Sequence, residues 1–388
     1  MKRVRLEQLA VWGLFAFVGA IQVSIFVAEA LVAVLALLWL GLLVTRRVRF
    51  DAPPFFWPLL AYAVLTLVSA VFSVEPAASL ADCKQLLLYA VVPITYELGR
   101  AGRARTAITV AITVGALSAA YGVVQYGILH FDNLGQRPHG TIGHYMQYSG
   151  LLMMVTTAAA ARLLFDKRDR AWPAIVLPAL LVALALTFTR SAWVGTSVAL
   201  AVLFLMKDFR LIGALPILLA LFFAVAPAQL TQRMYSMFDL KDPTNRDRVA
   251  MLREGARMVA AYPLTGVGPN MVEKVYVRFR DPEAVERINP HLHNVPMQIA
   301  AERGLLALGV WIWFIGSAAA GLLGLFRRGR SPYLAATGLG AIAGMLAAGM
   351  FEHNFGASLF LMFFLVLLTL PFAAERPKSG MDGGSIDT

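Results

Sequence analysis

The chain has 388 residues, of which 59% are hydrophobic and 15% charged, with a formal net charge of +11. A globule this apolar would expose large hydrophobic patches to water, so a soluble domain is excluded and the lipid bilayer is the expected solvent. The only cysteine, Cys83, excludes a disulfide framework and a thiolate metal site.

A membrane-spanning helix needs ~20 mostly apolar residues, and such stretches recur along nearly the whole chain. Residues 9–44 are too long for one helix and carry MKRVR before and TRRVR after, so two spans that turn back near Val23 to Ala30 are expected. This run is also too long for the core of a cleaved signal peptide. Further spans are expected at 54–73, 86–99, 106–129, 146–165, 172–189, 191–206, 211–229, 304–326, 333–351 and 356–374, of which 86–99 is short and interrupted by Pro93 and Glu97. Arg100, Arg103 and Arg105, then Lys167, Arg168 and Arg170, then Lys207 and Arg210, then Arg327, Arg328 and Arg330, and finally Arg376 and Lys378 all fall on the side of the N-terminus. The positive-inside rule makes that side cytoplasmic. The expected fold is an all-α polytopic membrane protein of about twelve helices in one integral membrane domain, with both termini inside.

Two outer connections are long, residues 130–145 and 230–303, the latter between the ninth and tenth spans. A loop of that length in a compact protein is usually functional, and this one is expected to be a partly helical subdomain carrying the chemistry. It is rich in arginine and lysine, which fits either a solvated loop of mixed charge or an anionic partner outside the cytoplasm. Membrane lipid is an expected partner and nucleic acid is not. Within the loop, residues 245–262 have helical periodicity, with Val249, Leu252, Ala256, Val259 and Ala260 on one arc and Arg246, Arg253 and Arg257 on another. This reads as an amphipathic helix at the membrane surface. Arg248 falls beside Leu252, Gly255 and Val259, toward the apolar side, where it needs either a carboxylate partner or a phosphate to hold bidentately.

Arg190 raises the same question, because in ALALTFTRSAWVG it interrupts two apolar segments at the outer end of a span. Charges at membrane depth mark functional sites, although an arginine snorkelling at headgroup level beside Trp193 gives the same pattern. In INPHLHNVPMQ, Asn294 suits an N-cap and Pro296 the first turn, so a helix should begin at about Val295. His293 then sits at a helix N-terminus, which binds anions and disfavours a second positive charge, so a neutral imidazole there can accept a proton. The alternative is a histidine that merely hydrogen-bonds at the interface. His291 and His293 with an acid from elsewhere match a zinc set only weakly, for want of a third fixed ligand. A reaction without metal or cofactor is therefore expected.

The segment HNVPMQIAAERG resembles the His-Asn, nine residues, Gly pattern of the O-antigen ligase and polymerase superfamily, with His293, Asn294 and Gly304 in register. RVAML is similar to its Arg-x-x-x-Leu element, and YPLTGVGPN to its Pro-x-x-Gly-x-Gly turn at Pro263, Gly266 and Gly268. TFTRSAW matches the segment carrying a membrane-edge arginine, here Arg190, and RPHGTIGH a loop that implicates Arg137. The chain departs from the pattern at Ala307 and at Thr189 and Ser191, all small residues compatible with close helix packing.

The resemblance implies a fold akin to C-type glycosyltransferases and transfer of O-antigen from undecaprenyl diphosphate to the lipid A core at the periplasmic face of the bacterial inner membrane. Under it, His293 is the catalytic base, while Arg190, Arg248, Arg137, Asn294 and His291 bind substrate. A polymerase shares the same site type. A protein O-oligosaccharyltransferase would usually bring a soluble domain, for which the polar tail after Ala374 is short. A transporter would show an internal repeat with broken helices at matching positions, and none is evident.

Overall fold

The computed structural model describes residues 2–213, 215–217, 220, 227–239 and 241–376, and every regular element among them is helical. The first half comprises α1 (Lys2–Ala20), α2 (Ile25–Val44), α3 (Phe56–Val71), α4 (Pro76–Asp82), a 3₁₀ segment (Cys83–Ala90), α5 (Val91–Leu98), α6 (Arg103–Gly127), α7 (Tyr145–Phe165), α8 (Ala171–Leu186) and α9 (Arg190–Lys207). After it come α10 (Ala228–Tyr235), α11 (Pro243–Ala261), α12 (Val272–Phe279), α13 (Val295–Arg328), α14 (Pro332–Gly349) and α15 (Ser358–Ala374). Among the described residues, seven segments are long and apolar enough to cross a membrane, and four shorter apolar helices, Leu6–Ala20, Phe56–Val71, Ala171–Leu186 and Ser358–Ala374, lie where spans are expected. That is consistent with a polytopic membrane protein. The span expected over 211–229 lies largely outside the described residues.

Three expectations change in detail. The turn between α1 and α2 is tight and closes before Ile25, because the Ser24 hydroxyl caps α2 by accepting from the Val27 N–H. The span expected at 86–99 runs from Pro76 to Leu98, with the 3₁₀ segment in its middle. Its awkward residues are accommodated locally: Glu97 pairs with Arg100 and, at 3.0 Å, with Arg376, and Pro93 occupies the first turn of α5. The span expected from residue 304 is the lower part of a 34-residue helix, α13, that begins at Val295.

The bundle is built around α15, which is buried from Leu359 to Pro371, and α7, buried from Tyr148 to Arg162. Small residues bring α9 and α14 together: a Cβ at Gly195 would lie 2.7 Å from the Gly344 carbonyl oxygen. The helix α11 keeps the expected position but turns a different face inward. Its buried residues are Asp247, Ala250, Met251, Glu254, Gly255 and Met258, whereas Val249 and Leu252 are exposed. The two carboxylates explain the rotation, since Asp247 accepts from the Val285 and Glu286 N–H groups and Glu254 from that of Asp281, which fixes the chain beyond α12. Arg253 and Arg257 on the outer face pair with Glu283 and Asp281, each at 2.6 Å.

The segment 263–268 then runs alongside a break in α13. Gly304 has φ 81° and ψ 171°, a region essentially closed to other residues. The carbonyls of Ala301 and Glu302 accept from the Val267 and Gly268 N–H groups, at 2.9 Å each, and the Leu305 N–H donates to Pro263 at 2.8 Å. Contact is backbone to backbone: a Cβ on Gly304 would lie 2.0 Å from the Leu264 carbonyl oxygen, and one on Gly266 2.2 Å from the Glu302 carbonyl carbon. We expect Gly304→Ala to lose at least about 1–3 kcal/mol through backbone strain alone. A fall of several degrees in the thermal midpoint in detergent checks this, and an unchanged midpoint would contradict the packing described.

Candidate active site

The start of α13 is fixed by Asn294. Its Oδ1 accepts from the Met297 N–H at 2.9 Å, and its Nδ2 donates to the Met350 carbonyl, at the end of α14, at 3.1 Å. Both polar ends of this buried side chain are therefore engaged within the protein, so it acts as a cap and a brace. His293, directly before it, has a φ of +46°, a left-handed conformation costly for a residue with a Cβ. The strain aims its ring at the turn after α14, where Nδ1 lies 3.1 Å from Glu352 Oε1.

Burial alone would raise the Glu352 carboxyl, but the hydrogen bond and charge of His293, then His291 and the His353 N–H, outweigh it and hold the group down at about 2. An ionised Glu352 accepts a hydrogen bond from the Nδ1 proton of His293; in the neutral ring Nε2 is then the acceptor, and in the charged ring both nitrogens carry protons. The helix N-terminus is thus not the only field on this histidine: Glu352 orients the ring and would stabilise an imidazolium. His291 stands edge-on to His293, with ring centroids 4.2 Å apart, and His353 lies 5.6 Å from His291. A cavity of about 260 Å³ joins His291, Glu352 and His353 to His144, Met146 and Gln147 at the start of α7.

The expected arginines converge beside this cluster. Arg190, at the first turn of α9, is only 4% exposed, donates to Ser236 at 3.1 and 3.2 Å, and lies 3.5 Å from Asp242. It is held inside the protein and does not snorkel. Half-buried Arg248 packs on the Phe351 ring at 6.0 Å and has no hydrogen-bond or ion-pair partner among the described residues. Arg137 stacks on Tyr145 at 4.2 Å and donates to the Leu134 carbonyl. A fourth arginine, Arg233 on α10, joins them. Burial and then the charges of Arg190 and Arg137 push its pKa down to about 10, against the pull of Asp242. Burial also lowers Arg248, with Glu352 opposing and Arg190 adding to the fall, and Arg137 falls by burial and the Arg190 charge, with Tyr145 opposing.

Four guanidinium groups are thus gathered around Asp242 and Glu352, and these carboxylates already pair with Arg190 and His293. The surplus positive charge suits a polyanion such as a diphosphate, held by bidentate donors. Arg233, Glu352 and His353 escaped the sequence reading. Arg233 is one of many charges in a long loop, but the EHN triplet at 352–354, between two apolar spans, was a visible signal. The fold also supplies the third ligand that the sequence lacked: His291, His293 and Glu352 offer donor atoms within 4.8 Å of one another, the residues here that can hold a divalent cation.

Residues 174–312 match the family model described as O-antigen ligase, which supports membership of that family. The match covers Arg190, Arg248, His293 and the Gly266–Gly304 contact and stops short of Glu352. No curated protein matches the chain. The family implies a lipid-linked glycan and an acceptor as substrates in general.

The buried histidines set an acid limit on the fold. Burial first, then His291 and Arg303, depresses His353 to about 3, whereas an unfolded histidine titrates near ~6.5. Between those values the unfolded chain takes up a proton that the folded one refuses, so this contribution is intact above pH ~6.5 and is lost progressively on acidification. We expect the thermal midpoint to fall between pH 7 and pH 5, and His353→Gln to flatten that slope. An identical slope in the variant would remove His353 as its source.

Proposed function

We propose that the chain, as a member of the O-antigen ligase family, transfers a glycan from undecaprenyl diphosphate to a sugar hydroxyl of the lipid A core at the periplasmic face of the inner membrane. The observation that carries this reading is the His293–Glu352 pair beside an unneutralised arginine cluster, both at the loop end of the bundle. Arg190, Arg248, Arg233 and Arg137 hold the donor diphosphate and stabilise the charge that grows on it as it leaves. His293 Nε2 takes the proton of the acceptor hydroxyl while its oxygen attacks the anomeric carbon. The bond from that carbon to the diphosphate oxygen breaks with its electron pair, undecaprenyl diphosphate departs, and direct displacement inverts the carbon. Glu352 holds the imidazolium until the proton passes to solvent. No step draws on a metal or organic cofactor.

The lipopolysaccharide profile of a deletion strain tests the reaction. We expect bare core lipid with full-length polymer accumulating on undecaprenyl diphosphate, restored by the wild-type gene and not by His293→Ala. Core carrying one repeat unit would make the chain a polymerase instead. In purified protein, His293→Ala should reduce transfer by at least about 10²-fold; a loss of only a few-fold would remove the base assignment. Arg248→Ala should weaken undecaprenyl diphosphate binding, and unchanged affinity would make it structural. Chelator treatment should leave transfer intact, whereas loss restored by added Zn²⁺ would assign His291, His293 and Glu352 to a metal.

A further inference from the structure

Among the described residues, a second and larger cavity lies apart from the four arginines. A groove of about 860 Å³ runs from the surface of α2 to the histidine cluster, within the range of sites that enclose most of a ligand. Its outer wall is Val32, Ala33, Ala36, Leu37 and Leu40, on the least buried of the candidate spans. This wall offers a lipid chain a continuous apolar track from the bilayer. Its inner end is polar, with Asp82, Gln85, Gln298, Glu302 and Arg303 leading to His291.

The charge of the lining decides what fits. Over the whole groove Glu29, Asp82 and Glu302 oppose Lys84 and Arg303, three negative charges against two positive, and none of the four clustered arginines lines it. Arg303 is already pinned to Glu302 at 2.5 Å, although its buried Nε lacks a partner among the described residues, as does His291 Nδ1. A diphosphate finds no surplus cation there. Carboxylates, amides and unsatisfied ring nitrogens instead suit the hydroxyls of a sugar, which donate and accept in turn. His291 closes the groove and also lines the smaller cavity, with its ring 4.2 Å from that of His293.

We propose that this groove is the seat of the acceptor, a glycolipid whose acyl chains lie along α2 and whose sugar head reaches past His291 to His293. The inference rests on the transferase reading, and it divides the site in two: donor diphosphate on the arginines, acceptor in the groove. Inverting displacement needs that division, because the attacking oxygen enters opposite the leaving diphosphate.

A photo-crosslinking residue, p-benzoylphenylalanine, at Leu37 or Leu40 in the full chain, irradiated in membranes that contain core-only lipopolysaccharide, should capture that glycolipid. Capture of undecaprenyl-linked glycan, or of phospholipid alone, would overturn the proposal. In purified protein, Ala33→Trp and Ala36→Trp should raise KM for the core glycolipid by at least about tenfold while undecaprenyl diphosphate binding stays unchanged. Acceptor KM unmoved in both, or donor binding weakened instead, would overturn it as well. Capture of the glycolipid by the Leu37 or Leu40 variant, with no glycan transfer by the wild-type protein, would remove the transferase reading and leave the occupant of the groove assigned.

Discussion

The arrangement depends on one interruption of helical hydrogen bonding. At Gly304 the backbone of α13 leaves the helical region, and a break in an apolar segment is tolerable only if the freed groups find partners within the protein. The segment 263–268 supplies them, through Val267, Gly268 and Pro263, and the Ser69 hydroxyl adds a bond of 2.8 Å to the Glu302 carbonyl. A long outer segment is thereby stitched to the membrane bundle at a fixed register. On one side of the stitch hang α11 and Arg248, and on the other the first turns of α13 and His293. Without it, the two halves of the chemistry have no common frame.

The same logic governs the charges. Each carboxylate near the site is committed: Asp247 and Glu254 to backbone N–H groups, Asp242 to Arg190, Glu352 to His293. What remains is cationic and partly desolvated, a state that costs free energy until an anion arrives. Arg190 adds to it, since a guanidinium at the first turn of a helix faces the positive end of the helix dipole. An unfavourable placement of charge in the free protein is an attractive field for a diphosphate.

Much of this was legible in the sequence, for reasons that are local. The helix start at Val295 follows from the Asn294 cap and Pro296, and the spans follow from hydropathy, because both signals need only neighbours along the chain. Arg190 and Arg248 stood out because each breaks an apolar pattern. Glu352 did not, since its importance lies in a partner 59 residues away. The inward face of α11 was misjudged by periodicity because Asp247 and Glu254 are buried to hold loop N–H groups, and hydrophobicity carries no record of that service. The path from Pro76 to Leu98 was obscured by Asp82 and Lys84, polar residues that face a groove and not lipid.

The glycine crossing of α9 and α14 has a mechanical consequence. Gly195 lies five residues beyond Arg190, about 7.5 Å along the helix, and Gly344 eight residues before Glu352. With their backbones in contact, the two helices hold Arg190, at the start of one, and Glu352, just beyond the end of the other, in a fixed relation. That relation depends on two glycines that line neither of the two cavities. A methyl group added at Gly195 would press on the Gly344 carbonyl and on Met153, shifting one helix against the other. The distance between these two charged residues therefore depends on positions deep in the bundle, away from the cavity walls.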